Sequence, residues 1–174
     1  GNKGEQKVDY ALKWLDKSFI QIEKKSNDKV GNRCIFIKND EFIDERQEYD
    51  HLIVSNKGIF NIETKNYIGQ LVVDQYGNWI RKKDNEEEGL KNPLQQIRQH
   101  EKVLMSFLPE YCKVISIICI ANDKAIIEGS ENCSIPIIKS DMLVEFIENC
   151  NEEEMKMSDS QVEHCVNAIY SHMV

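Results

Sequence analysis

This 174-residue chain lacks several features, and each absence closes off a class of protein. No run of about 18 apolar residues occurs, so no transmembrane helix and no membrane partner are expected. The start, Gly1-Asn2-Lys3-Gly4-Glu5-Gln6, is polar and leads into an amphipathic stretch, which is not the pattern of a secretory leader. No C-x-x-C pair occurs among Cys34, Cys112, Cys119, Cys133, Cys150 and Cys165, so a zinc knuckle is not expected. Cys34 and Cys119 lie in apolar segments, which suggests buried free thiols and a reduced, cytoplasmic protein rather than a disulfide framework. There is no internal repeat and no low-complexity linker. A basic excess is also missing: 22 Lys and Arg face 30 Asp and Glu, for a net charge of −8. Taken alone, that balance argues against a nucleic-acid partner.

What is present is ordinary for a globular protein. Hydrophobic residues make up 41% and charged residues 30%, enough for a sizeable core in about one domain. Residues 3–17 read as a helix, with Val8, Ala11, Leu12 and Leu15 at helical spacing. Glu5 falls at the edge of that apolar face. A solvated carboxylate favoured by the helix dipole and an inward one with a chemical role both fit there. Residues 19–24 and 33–38 alternate like strands, separated by a polar turn over 26–31. Residues 48–55 and 58–65 read as two strands joined at Asn56-Lys57. A second hairpin is expected from residues 70–74 and 78–83 around Tyr76-Gly77, followed by an exposed acidic loop over 84–89. Asn92-Pro93 opens a helix that runs to about Leu108. The almost unbroken apolar run of residues 113–121 fits a central strand covered on both faces. A short strand over 135–139 and helices over 141–150 and 158–174 complete one α/β domain with a mixed sheet.

The first hairpin carries the chemistry. Side chains alternate along a strand, so Asn61, Glu63 and Lys65 share a face. With Asn56-Lys57 as the loop, Asp50 stands opposite Glu63 and Glu48 opposite Lys65. With Lys57-Gly58 as the loop, Asp50 stands opposite Lys65 with Glu63 diagonal to it. Both loops put Asp50, Glu63 and Lys65 on one face, whereas a three-residue loop would move Asp50 away. Opposed like charges destabilise a strand pair, so two carboxylates there are not what stability alone selects. A hard divalent cation resolves the repulsion, since Mg²⁺ takes one or two protein carboxylates plus water and phosphate oxygens. The pattern fits phosphodiester hydrolysis, with a metal as Lewis acid, its water as nucleophile and Lys65 orienting that water. His51 faces away from Asp50 and is expected to be packed or hydrogen-bonded. Tyr76 and Trp79 fit either stacking on bases or packing within their hairpin.

Four motifs in order resemble the NERD (nuclease-related) domain of the PD-(D/E)xK restriction-endonuclease-like superfamily. They are Gly1-Asn-Lys-Gly4-Glu5, Glu48-Tyr-Asp50-His-Leu-Ile-Val54, Gly58-Ile-Phe-Asn-Ile-Glu63-Thr-Lys65-Asn66 and Lys91-Asn92-Pro93-Leu-Gln-Gln96. They span most of residues 1–108, and the strand over 114–120 fits the family's next element. The resemblance implies an αβββαβ core, a mixed sheet flanked by helices, with extra C-terminal helices. It implies a nuclease-like domain over 1–150, with residues 151–174 as a helix packed on it or extending it. Asp50, Glu63 and Lys65 become the catalytic D…E-x-K signature, with Glu5 assisting from the first helix. Asp50, Glu63 and Glu5 become ligands for Mg²⁺ or Mn²⁺. Gln96 matches the family's polar residue on the helix after the sheet, with His100 one turn further on. Tyr49 departs from the proline in the superfamily's name.

The implied function is metal-dependent hydrolysis of nucleic acid, DNA before RNA. The alternatives are a non-catalytic nucleic-acid-binding or regulatory module on the same fold, or a protein-interaction domain. The resemblance also allows a homodimer and fusion to further domains. Seven acidic residues are concentrated in two runs, 84–88 and 152–154, which leaves the rest of the chain near neutral. Arg81, Lys82, Lys83, Lys91, Arg98 and His100 are the candidate nucleic-acid contacts. With so few cations, weak, salt-sensitive binding is expected.

Overall fold

Alternation in the first hairpin organises the whole fold. The computed structural model describes residues 2–26, 33–38 and 46–174, with Asn2, Ser26, Arg33 and Cys34 described by backbone alone. Strands β5 (His51–Ser55) and β6 (Gly58–Lys65) pair antiparallel, with Ser55 against Gly58 and His51 against Ile62. Asn56-Lys57 is therefore the loop. Gly58 has φ 133°, and a Cβ there would collide with the Lys113 carbonyl, so the turn requires glycine.

Both faces of this hairpin are buried, which explains its apolar density. Leu52, Val54 and Ile59 pack on one side against Val103 and Leu104 of α2 (Leu94–Phe107) and Val162, Cys165 and Ile169 of α4 (Asp159–His172). Ile53, Phe60 and Ile62 pack on the other side against Val8 and Leu12 of α1 (Asn2–Leu12) and Leu143 and Ile147 of α3 (Leu143–Asn149). Each such side chain contributes about 1.5–3 kcal/mol by leaving water. The central sheet runs β1 (Ile20–Gln21), β5, β6, β10 (Val114–Ile120), β12 (Ile137–Lys139). It is mixed: β6, β10 and β12 are parallel, and β5 runs antiparallel to both of its neighbours, β1 and β6. This mixed sheet between helical layers matches the expected restriction-endonuclease-like architecture.

Two smaller sheets complete the fold. β11 (Ile126–Glu128), β7 (Gln70–Val73), β8 (Trp79–Lys83) and β9 (Glu86–Leu90) form one. β2 (Lys25–Ser26), β3 (Arg33–Lys38) and β4 (Arg46–Tyr49) form the other. The expected acidic loop over 84–89 is thus mostly a strand. Its glutamates stand opposite a basic strand, Glu86 facing Lys83, Glu87 Lys82 and Glu88 Arg81, and opposite charges across strands favour pairing. The expected strand over 19–24 shrinks to Ile20–Gln21, and the polar turn over 26–31 falls almost wholly outside the described residues.

Helix starts follow local chemistry. Asn92 Oδ1 accepts from the Leu94 N–H at 2.9 Å, so Asn92-Pro93 does open α2. Ser158 and Gln161 form a reciprocal capping box at α4. Cys119 is buried as expected, and Cys112, Cys119, Cys133, Cys150 and Cys165 are free thiols, while the expected burial of Cys34 falls on a side chain outside the description. No helix among the described residues is long and apolar enough to cross a membrane.

Candidate functional site

The strand expected over 48–55 breaks at Asp50. Residues up to Tyr49 pair with β3, whereas residues from His51 pair with β6, so Asp50 is the hinge between two sheets. On its β5 side, the break leaves β6 without a ladder partner beyond Ile62. Asp50 replaces that partner with its side chain: Oδ2 accepts from the Thr64 N–H at 2.8 Å. Asp50 therefore stays beside Glu63, as the alternation predicts, although the paired strand has ended. Glu48 leaves with β4, where it is exposed and opposite Phe36, so it does not partner Lys65.

Glu63 and Lys65 occupy the C-terminal end of β6, next to Ile118 and Ile120 of parallel β10. Glu63 is 5% exposed. Its Oε1 is 3.6 Å from Lys65 Nζ and its Oε2 is 3.9 Å from His100 Nδ1. Glu5 comes from α1. Gly4 lets that helix approach closely, since a Cβ there would lie 3.1 Å from Asn66 Cβ and 3.3 Å from Thr64 Cγ2. Glu5 thereby reaches Asp50, with a hydrogen bond between the two carboxyls.

Electrostatics bind these groups into one site. Burial, then the charge of Asp50, pushes Glu63 up to about 7. Burial and Asp50 push Glu5 up to about 7 as well, partly opposed by Lys24. Two carboxyls raised by burial and then by the charge of a third form one coupled cluster, and perturbed carboxyls in a cluster mark functional sites. The donor set is hard oxygen throughout, which suits Mg²⁺ or Mn²⁺. His100 Nδ1 is buried without a hydrogen-bond partner, so the site also has unused polar capacity. Among the described residues, no group of three His, Cys, Asp or Glu side chains converges into a ready metal cage. The donor chemistry nevertheless fits an ion held by one or two carboxylates, because Mg²⁺ keeps most of its waters.

The other candidates are placed differently. His100 is 1% exposed, its ring centroid 4.4 Å from that of Tyr49, whose hydroxyl donates to the His100 carbonyl at 2.9 Å. It is a floor residue of the site and cannot reach nucleic acid from the rim. Its apolar neighbourhood holds its pKa below the usual histidine value. Gln96 lies one turn earlier on α2 and is exposed. Lys82 and Lys83 belong to the second sheet, facing Glu87 and Glu86, with Lys82 Nζ 3.7 Å from Glu87. Arg81 is paired with Glu88 at 2.5 Å. Arg98 pairs with Glu101 at 3.0 Å and bonds Ser134. Lys91 is exposed. The expected basic rim is thus largely compensated by its own acidic neighbours. Trp79 is buried within its hairpin, whereas Tyr76 is exposed.

One cluster next to Glu5 escaped the sequence reading. His51 Nε2 lies 2.8 Å from Asp9 Oδ1 and 3.1 Å from Lys24 Nζ, with the Lys24 side chain 9% exposed. His51 is packed and hydrogen-bonded, as expected. Lys24 comes from the short segment between β1 and β2, where periodicity is too weak to place a side chain. Asp9 lies one turn after Glu5 on α1, and that spacing was the available signal.

Residues 1–121 match the model of a family described as nuclease-related domain. No curated protein and no solved structure matches the chain.

Proposed function

The chain belongs to the nuclease-related domain (NERD) family, and from that premise we propose that it is a divalent-metal-dependent nuclease acting on phosphodiester bonds, DNA before RNA. The observation that carries this reading is the joining of Glu5, Asp50 and Glu63 from three elements, with Lys65 beside them. In this reading Asp50 and Glu63, with Glu5 assisting, hold Mg²⁺ or Mn²⁺. The chemistry supplied when such an ion is bound is Lewis acidity toward a phosphoryl oxygen and a lowered pKa of coordinated water.

The chain's own groups do the positioning. Thr64 holds one oxygen of Asp50 by its N–H. Lys65, with its side chain 25% exposed, is the cation open to solvent beside Glu63 and is suited to orient water or a phosphate oxygen. Gln96, exposed on α2, is assigned to substrate contact. His100 and Tyr49 close the floor against water.

The test is cleavage of single- and double-stranded DNA and RNA with Mg²⁺ and Mn²⁺. Expected are turnover by the native chain and its loss in Glu63→Ala and Lys65→Ala. A second reading, a non-catalytic nucleic-acid-binding module, is favoured by the absence of a ready three-ligand cage among the described residues. It predicts salt-dependent binding without cleavage of any substrate and no rise in melting temperature with metal.

A further inference from the structure

Helix α1 has two jobs on its two sides. Val8, Leu12 and Leu15 are buried in the core, so the helix needs nothing apolar on its outer side. That outer side nevertheless carries Lys3, Lys7 and Tyr10, with Lys13 and Trp14 in the turn that follows Leu12. At 100° per residue Lys3, Lys7 and Tyr10 fall within about 60° of the helix circumference, and the turn is held by N–H bonds from Lys13, Trp14 and Leu15 to the residues three before them. Tyr10 is 61% and Trp14 72% exposed. Lys13 Nζ lies 5.5 Å from the Tyr10 ring centroid. Lys7 is bonded to Asp123 at 2.9 Å, its side chain still 39% exposed. The acidic residues of α1, Glu5 and Asp9, point elsewhere: Glu5 to Asp50, and Asp9 to His51 and Lys24.

We propose that this face of α1 binds single-stranded nucleic acid. The binding itself does not rest on the nuclease reading. Two exposed aromatic rings offer stacking platforms, and only unpaired bases present free π-faces to them. Lys3 and Lys13, with Lys7 shared with Asp123, complement phosphates, on a chain whose net charge of −8 makes such a face unusual. A membrane surface is the weaker match, because the apolar side such a helix would insert is already buried in the core.

The test is binding of a fluorescein-labelled 12-nucleotide oligothymidylate and of a matched duplex to the full chain in EDTA, where no metal-dependent cleavage occurs. Expected are tighter binding of the single strand, weakening with salt, and quenching of Trp14 fluorescence; buried Trp79 should not respond. Trp14→Ala and Tyr10→Ala should each weaken binding about tenfold, in the range of one lost stacking contact. Lys13→Gln should flatten the salt dependence. All three should leave the melting temperature unchanged, since these side chains are exposed. Single-strand affinity unchanged in Trp14→Ala, duplex bound as tightly as single strand, or binding of anionic phosphatidylserine vesicles in place of the oligonucleotide would each overturn the proposal. The nuclease reading fails separately: cleavage absent while Trp14-dependent binding persists refutes that reading and leaves this surface standing.

Discussion

The Thr64 N–H donates to Asp50 Oδ2 at 2.8 Å, across the point where β5 stops pairing with β6. One carboxylate thus does two jobs: it closes the ladder and contributes charge to the site. The two can be separated. Asp50→Asn keeps an oxygen for the Thr64 N–H, whereas Asp50→Ala leaves that buried donor unpaired at a cost of about 1–3 kcal/mol. Urea denaturation should find the alanine variant less stable than the asparagine variant by that amount. Both should lose any rise in melting temperature produced by Mg²⁺ or Mn²⁺.

The raised carboxyls set a pH dependence. Glu5 and Glu63 move from an ordinary 4.5 to about 7 on folding, through burial and then the charge of Asp50. Between those values these two groups bind more protons in the folded chain than in the unfolded one, so their contribution to metal-free stability falls as pH rises from 4.5 through 7, while His51 and His100, held below the usual histidine value by burial, act in the opposite sense as pH rises toward 6.5. Metal binding runs the other way, because the ligands must give up their protons. Thermal melts in EDTA should therefore show the native chain losing stability across this window relative to Glu63→Gln, and the stabilisation of the native chain by Mn²⁺ should grow across it. A native chain that gains stability relative to Glu63→Gln in EDTA from pH 5 to 7 would contradict the assignment.

The hairpin and the shared face of Asp50, Glu63 and Lys65 were legible in the sequence because both candidate two-residue loops keep the same alternation, and the structure selects Asn56-Lys57. Ser55 against Gly58 fixes Asp50 near Glu63, whether or not the strand continues. The break at Asp50 was not legible. Residues 48–55 show continuous strand propensity, and only the competing pairing of Tyr49 with Ile35 in another sheet shows where the chain leaves. β9 was hidden for a related reason. Three consecutive glutamates read as a solvated loop until the opposing Arg81-Lys82-Lys83 strand is known. His100 reads as part of a polar helix face, yet the fold turns it onto Tyr49 and Glu63. Local pattern placed the elements and the carboxylates. Contacts between distant segments decided which basic residues stayed free.

Gly4 tests how closely α1 must approach β6. An alanine there improves helix propensity by about 1 kcal/mol. Its Cβ would lie 3.1 Å from Asn66 Cβ and 3.3 Å from Thr64 Cγ2, and overpacking of this kind costs about 1–3 kcal/mol. The net expected for Gly4→Ala is a loss of roughly 1 kcal/mol. Displacement of Glu5 from Asp50 should also lower the metal-induced shift in melting temperature. A variant that gains stability with an undiminished metal shift would show that this close approach is not needed.

The β8–β9 pairing sets Arg81, Lys82 and Lys83 against three glutamates. Glu88 holds Arg81 at 2.5 Å and Glu87 lies 3.7 Å from Lys82, with both glutamates largely exposed. Exposed pairs contribute about 0–1 kcal/mol each, so the double variant Glu87→Gln, Glu88→Gln should unfold close to the native chain. Its net charge becomes less negative by two, and Arg81 and Lys82 become available to phosphates. Binding to duplex DNA in EDTA should strengthen, with a steeper salt dependence for each phosphate newly contacted. Unchanged affinity and an unchanged salt slope would show that this strand pair lies off the path of the nucleic acid, leaving the lysines of α1 and the exposed Lys91 to carry phosphate contact.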